Sequence, residues 1–96
     1  AQVMRLEYSR DAISDLKRLR TFIAEHNPTA AIRVASEMKQ GVEALKSHPK
    51  LGHGVLHATD PESIRDLVLG KYVVRYLLLQ ERVVILRIWH HLEDER

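Results

Sequence analysis

The chain has 96 residues, 45% of them hydrophobic and 29% charged, with no cysteine and a formal net charge of +2. Those totals fit one soluble globular domain over residues 1–96 and exclude a disulfide framework or a thiolate metal centre. No run reaches the roughly 18 apolar residues of a membrane span, and a pI near 9.2 permits an acidic partner or nucleic acid without demanding either.

Val3 to Tyr8 alternates apolar and polar residues, so Met4, Leu6 and Tyr8 share one face of a predicted half-buried strand. Ser9 stands where an N-cap belongs, with Asp11 in the first turn to complement the helix dipole. The helix it opens is predicted to run to about Glu25, with Ala12, Leu16, Leu19 and Ile23 as its apolar stripe. Ile13 and Phe22 flank that stripe and widen it beyond what one contact requires. Asn27-Pro28 restarts the chain, Asn as N-cap and Pro at the first helical position. A second helix from Pro28 to about Ser47 carries the stripe Ala31, Ala35, Met38, Val42 and Leu45. With almost no loop between them, the two must fold back as a helical hairpin. Gly41 costs about 1 kcal/mol of helix propensity against Ala, which predicts a close approach by another backbone.

A connection punctuated by Gly and Pro, Lys50 to Pro61, leads to the sheet. Its neighbourhood holds His48, His53 and His57, read as solvated loop residues because no carboxylate stands at ligand spacing; no metal or cofactor is expected. From Ile64 to His90 three β-branched and aromatic runs are broken only at Gly70-Lys71 and Gln80-Glu81-Arg82. Connections this short predict an antiparallel meander. Strict alternation in the last run groups Val84, Leu86 and Ile88, which should face the helices, against Val83, Ile85, Arg87 and Trp89, which should face outward. Arg75 is expected near Arg87 across the hairpin. Arginines inside apolar strands need partners, either Asp66 within the chain or acidic groups of a bound peptide.

The order of strand, two helices and three strands resembles the ParE/RelE superfamily of bacterial toxins from type II toxin–antitoxin systems. The resemblance runs through Tyr8-Ser9-Arg10-Asp11-Ala12, Asp15-Leu16, Pro28 with Ala30-Ala31, and His48-Pro49 with Leu51-Gly52. It continues through Ile64-Arg65, Gly70-Lys71-Tyr72-Val73-Val74 with Tyr76, and Ile85-Leu86-Arg87-Ile88 with His90. It implies an α+β fold, the helical hairpin packed on one face of the sheet, and a cytoplasmic protein neutralised by a cognate antitoxin, with which family members commonly form hetero-oligomers.

The ParE branch is understood to block DNA gyrase and the RelE branch to cleave messenger RNA on the ribosome. The two long helices look more like the ParE branch. RelE members carry an arginine early in the third strand, where this chain has Val73, and a C-terminal tyrosine, where none follows Tyr76. The resemblance therefore implies a gyrase-inhibiting protein without catalytic residues. Its alternative is a ribosome-dependent endoribonuclease using Arg87 as phosphate clamp with His90 or His91 as general base. For the antitoxin, the arginines Arg65, Arg75 and Arg87, with Trp89 and the flanking Ile13 and Phe22, are the expected contacts.

Overall fold

The computed structural model describes residues 3–55, 60 and 63–92. Strand β1 (Arg5–Tyr8) leads into helix α1 (Arg10–His26). Ser9 caps that helix, its hydroxyl accepting the Ala12 N–H at 3.0 Å. Asn27 alone joins α1 to helix α2 (Pro28–Ala44), in extended conformation, and its side chain accepts the Ala30 N–H at 3.1 Å. The second helix is shorter than the stripe suggested. Beyond Ala44 the N–H groups of Leu45, Lys46 and Ser47 bond three residues back, to Val42, Glu43 and Ala44, which tightens the exit into a turn.

Strands β3 (Ile64–Leu69), β4 (Tyr72–Leu78) and β5 (Arg82–His90) form the expected antiparallel meander. The Gly70 backbone turns between β3 and β4 at φ +61°, a left-handed conformation that glycine adopts without strain. β1 adds beside β5 in parallel, with Leu6 opposite Val83 and Tyr8 opposite Ile85. A two-residue strand, β2 (His53–Gly54), pairs with Arg65 and Asp66 of β3 inside what the sequence presented as a plain connection. The sheet order is β1-β5-β4-β3-β2.

The alternation expected in β5 breaks at Leu86. Tyr76 pairs with Ile85 but Arg75 pairs with Arg87, so the ladder shifts register there and Leu86 is the extra residue of a bulge. Val83 and Ile85 before it, and Ile88 after it, are all fully buried in the core with Val74, Tyr76, Val42 and Leu45. The grouping of Val84, Leu86 and Ile88 against the helices is therefore corrected. A single inserted position swaps the faces, and sequence alternation alone cannot register it. Ala12, Leu19, Met38 and Met4 complete the core from the helices and β1.

Gly41 meets a side chain, not the expected backbone: a methyl there would overlap Leu69 of β3. Gly52 is tighter in kind, because its missing Cβ would lie 2.8 Å from both the Asp66 carbonyl oxygen and the Tyr76 ring. Neither of those atoms can rotate away. Urea denaturation should show Gly52→Ala losing about 1–3 kcal/mol, the usual cost of overpacking. Gly41→Ala should lose far less, because Leu69 can change rotamer while alanine recovers about 1 kcal/mol of helix propensity.

Candidate functional site

β1 covers only the first half of β5, and its pairing ends where the bulge begins. Past that point α1 runs along the open edge and satisfies its backbone with side chains. The Ser9 N–H donates to the Ile85 carbonyl at 2.9 Å, and the Ser9 hydroxyl donates to the Leu86 carbonyl at 2.8 Å. Asp15 Oδ2 accepts the Ile88 N–H at 2.9 Å, and Arg18 donates to the Ile88 carbonyl at 3.3 Å. An exposed strand edge is thereby closed without another strand.

Asp15 is also where Arg87 goes. Its Nε and Nη2 donate to the two carboxylate oxygens at 2.9 and 3.0 Å, a bidentate pair. Asp15 is 3% exposed, the buried charged residue among the described residues. Burial pushes its pKa up, but the Arg87 hydrogen bonds, the Ile88 N–H, the Arg87 charge and Arg18 outweigh that and leave it below the usual carboxylate value. The Arg87 guanidinium is raised in turn, chiefly by the same hydrogen bonds. Sequence reasoning named Asp66 as a partner for the arginines and missed Asp15. The helix's own pattern does not mark it, because its partner Arg87 lies 72 residues further on.

The other expected contacts are engaged inside the fold as well. Arg75 lies opposite Arg87 as anticipated and forms its own bidentate pair with Asp66, at 2.8 and 2.9 Å. Arg65 donates to the Gly52 carbonyl at 2.9 Å. Trp89, expected as an exposed aromatic, is 5% exposed: the Arg75 guanidinium sits over its ring, 5.1 Å from the centroid. Ile13 and Phe22 are exposed as anticipated, and the Phe22 ring stacks on His26 at 4.4 Å.

The three nuclease candidates are dispersed. His90 packs edge-on against Tyr72, with ring centroids 5.2 Å apart, and its Nδ1 accepts the Leu92 N–H at 3.1 Å. The His91 ring nitrogen Nδ1 bonds the Lys71 carbonyl at 3.2 Å, which makes it the protonated nitrogen. Among the described residues no cluster of three or more His, Asp or Glu could hold a metal ion. His48 and His53 are exposed, and His57 lies outside the described residues.

Between the two helices and the sheet lies an apolar groove of about 270 Å³, lined by Leu16, Leu19, Ile23, Val34, Met38 and Tyr72 among others. Its charged lining residues are Arg20 and Lys39, both exposed. Neither is in an ion pair with another described residue. Apolar walls with two unpaired cations suit an amphipathic, acidic occupant.

Removing the Asp15 charge should cost about 2–4 kcal/mol of stability in Asp15→Asn, because a half-buried Arg87 then loses its counter-ion. The sign with pH follows from the lowered pKa. The stabilisation is fully present above the unfolded carboxylate value, about 3.9, and is lost as pH falls through the lower folded value. Acid titration of unfolding should therefore show a steeper loss below about pH 4 in the wild type than in Asp15→Asn.

A family model described as the ParE toxin of the type II toxin–antitoxin system, parDE, matches residues 6–95. Toxin RelE1 of Caulobacter vibrioides is 35% identical over 80 residues, 83% of this chain and 85% of its own length. Toxin RelE2 of the same organism is 35% identical over 80 residues, 82% and 85% of the two lengths. Among solved structures, the chromosomal ParDE toxin–antitoxin system from P. aeruginosa superposes with a TM-score of 0.74 at 22% identity, covering 94% of this chain and 98% of that one. A conserved hypothetical protein, HP0894 from Helicobacter pylori, superposes at 0.61 with 16% identity, covering 94% and 97%. With the hairpin-on-sheet fold and the extent of the family match together, the chain belongs to the ParE toxin family of type II toxin–antitoxin systems, within the ParE/RelE superfamily.

Proposed function

We propose that this toxin inhibits DNA gyrase by binding it, in the cytoplasm, and is held inactive by an antitoxin segment seated in the groove between α1 and α2. The observation that carries the first half is the commitment of Arg87. A ribonuclease needs a cation free to stabilise the charge that develops on phosphorus, and here that guanidinium is neutralised by a bidentate carboxylate. Of the general-base candidates, His90 has its basic nitrogen occupied by the Leu92 N–H and its ring packed on Tyr72. Binding energy, not bond-making, is then the protein's means of action.

The second half rests on the groove. An antitoxin segment presenting apolar residues on one side and carboxylates at its flanks would bury the walls and neutralise Arg20 and Lys39. Ile13 and Phe22, exposed on α1 outside the groove, offer further apolar contact, and a segment ordering on contact would assemble the two chains into a hetero-oligomer. Arg65, Arg75 and Arg87 act through the fold in this reading, by holding the sheet and α1 in place.

A second reading, messenger cleavage on the ribosome, draws on the names of the Caulobacter relatives, RelE1 and RelE2. It requires Arg87 to leave Asp15 when the ribosome binds.

Purified toxin should block supercoiling by gyrase and leave messenger intact in a translation extract, with His90→Ala and His91→Ala retaining the block. Messenger cleavage abolished by either histidine variant would establish the second reading instead. In calorimetry with the antitoxin, Arg20→Glu combined with Lys39→Glu should weaken binding by about tenfold or more, the scale of reversing charges opposite an acidic partner. Unchanged affinity would move the antitoxin off the groove.

A further inference from the structure

The segment after α2 holds an arrangement that the antitoxin groove does not use. Between Glu43 and Asp60 the chain has no carboxylate, yet it carries Lys46, His48, Lys50, His53 and His57. Lys46 is paired with Glu43; Lys50 is in no ion pair with a described residue. Irregular backbone of this kind ordinarily relies on water for its hydrogen bonds. Here it is fastened from beneath by two side chains of the sheet. The Tyr76 hydroxyl, on a residue with no solvent exposure, donates to the Pro49 carbonyl at 2.7 Å and accepts the Gly52 N–H at 3.0 Å. Arg65 donates to the Gly52 carbonyl at 2.9 Å, and the Leu51 N–H closes a turn onto the His48 carbonyl at 3.1 Å. Gly52 is packed so closely that a Cβ would meet the Asp66 carbonyl and the Tyr76 ring.

While the backbone is held, the side chains of His48, Lys50, Leu51 and His53 all face solvent, Leu51 at 56% exposure. A leucine left out on a pinned turn and ringed by basic residues has the make-up of an interface anchor whose ordering cost has been met in advance.

We propose that the turn 48–53 is the element that engages the toxin's target, with Leu51 entering an apolar pocket of an acidic protein surface and Lys50, His48 and His53 facing its carboxylates. The inference rests on the reading that the toxin acts by binding another protein. A protein is favoured over nucleic acid because a phosphate backbone would reward the cations but give an exposed leucine nothing to fill. The turn stands apart from the groove: none of residues 48–53 lines it. Target binding and antitoxin binding therefore separate by mutation.

The experiment uses full-length Leu51→Ala and Lys50→Glu, each exposed and each expected to fold, and measures four things. Thermal midpoint and antitoxin affinity should match wild type. Growth arrest on induction, and inhibition of whichever of gyrase or translation the wild type stops, should fall by about tenfold in each variant, the scale of removing one interface anchor. Tyr76→Phe keeps the surface chemistry but releases both hydroxyl bonds to the turn; it should weaken inhibition without altering antitoxin affinity. Wild type that cleaves messenger and spares gyrase would retire the gyrase reading and, with it, the acidic protein surface proposed for the turn. Full activity in Leu51→Ala would overturn the turn's role. Loss in Lys50→Glu with full activity in Leu51→Ala would assign the surface to nucleic-acid phosphates and overturn it equally.

Discussion

One buried carboxylate joins the two halves of this fold. Asp15 takes both oxygens' worth of hydrogen bonding from the Arg87 guanidinium and one more from the Ile88 N–H. It lies on α1, and its partners lie at the bulge of β5, so the pair spans the helical layer and the sheet. A buried ion pair is often no more stabilising than apolar residues of the same volume, but breaking it is costly. What it supplies here is uniqueness of position. The helix cannot slide along the strand edge without leaving a carboxylate, a guanidinium and an amide all unsatisfied. The groove between α1, α2 and the sheet inherits its shape from that anchoring.

A repulsive contact is resolved by the same device. Arg75 and Arg87 are directly opposite in the β4–β5 ladder, where like charges destabilise a sheet. Each is neutralised by a carboxylate from a different direction, Asp66 of β3 on one side and Asp15 of α1 on the other. The pair of arginines thus ties three strands and a helix together, and the Arg75 guanidinium also roofs Trp89. Residues that look like a recognition surface when read as a string turn out to be the fold's internal fastenings. The cations without an ion-pair partner among the described residues include Arg20 and Lys39 at the groove and Lys50 at the turn after α2.

Much of this architecture was legible in the chain. Ser9 and Asn27-Pro28 mark both helix starts because capping is local chemistry, written within three residues. The meander is legible because its turns are too short for any other connection. Three features were not. The β5 bulge depends on how two strands align, and no single strand records its partner's register. Asp15 looks like a surface residue of an amphipathic helix, since its partner is 72 residues away. The His53–Gly54 strand has two residues and no alternating pattern, and it exists because Asp66 and Arg65 offer an edge to pair with.

The parallel pairing of β1 with β5 has a consequence for when the protein becomes able to act. The chain's first strand bonds to its last, and α1 is tied to residues beyond that point. During synthesis the helices emerge before the sheet they rest on, because β5, which lies between β1 and β4, comes last in chain order among these elements. Contacts of such long sequence separation form late. The groove we propose for the antitoxin, walled by α1, α2 and Ile88 of β5, is therefore completed only once β5 has folded.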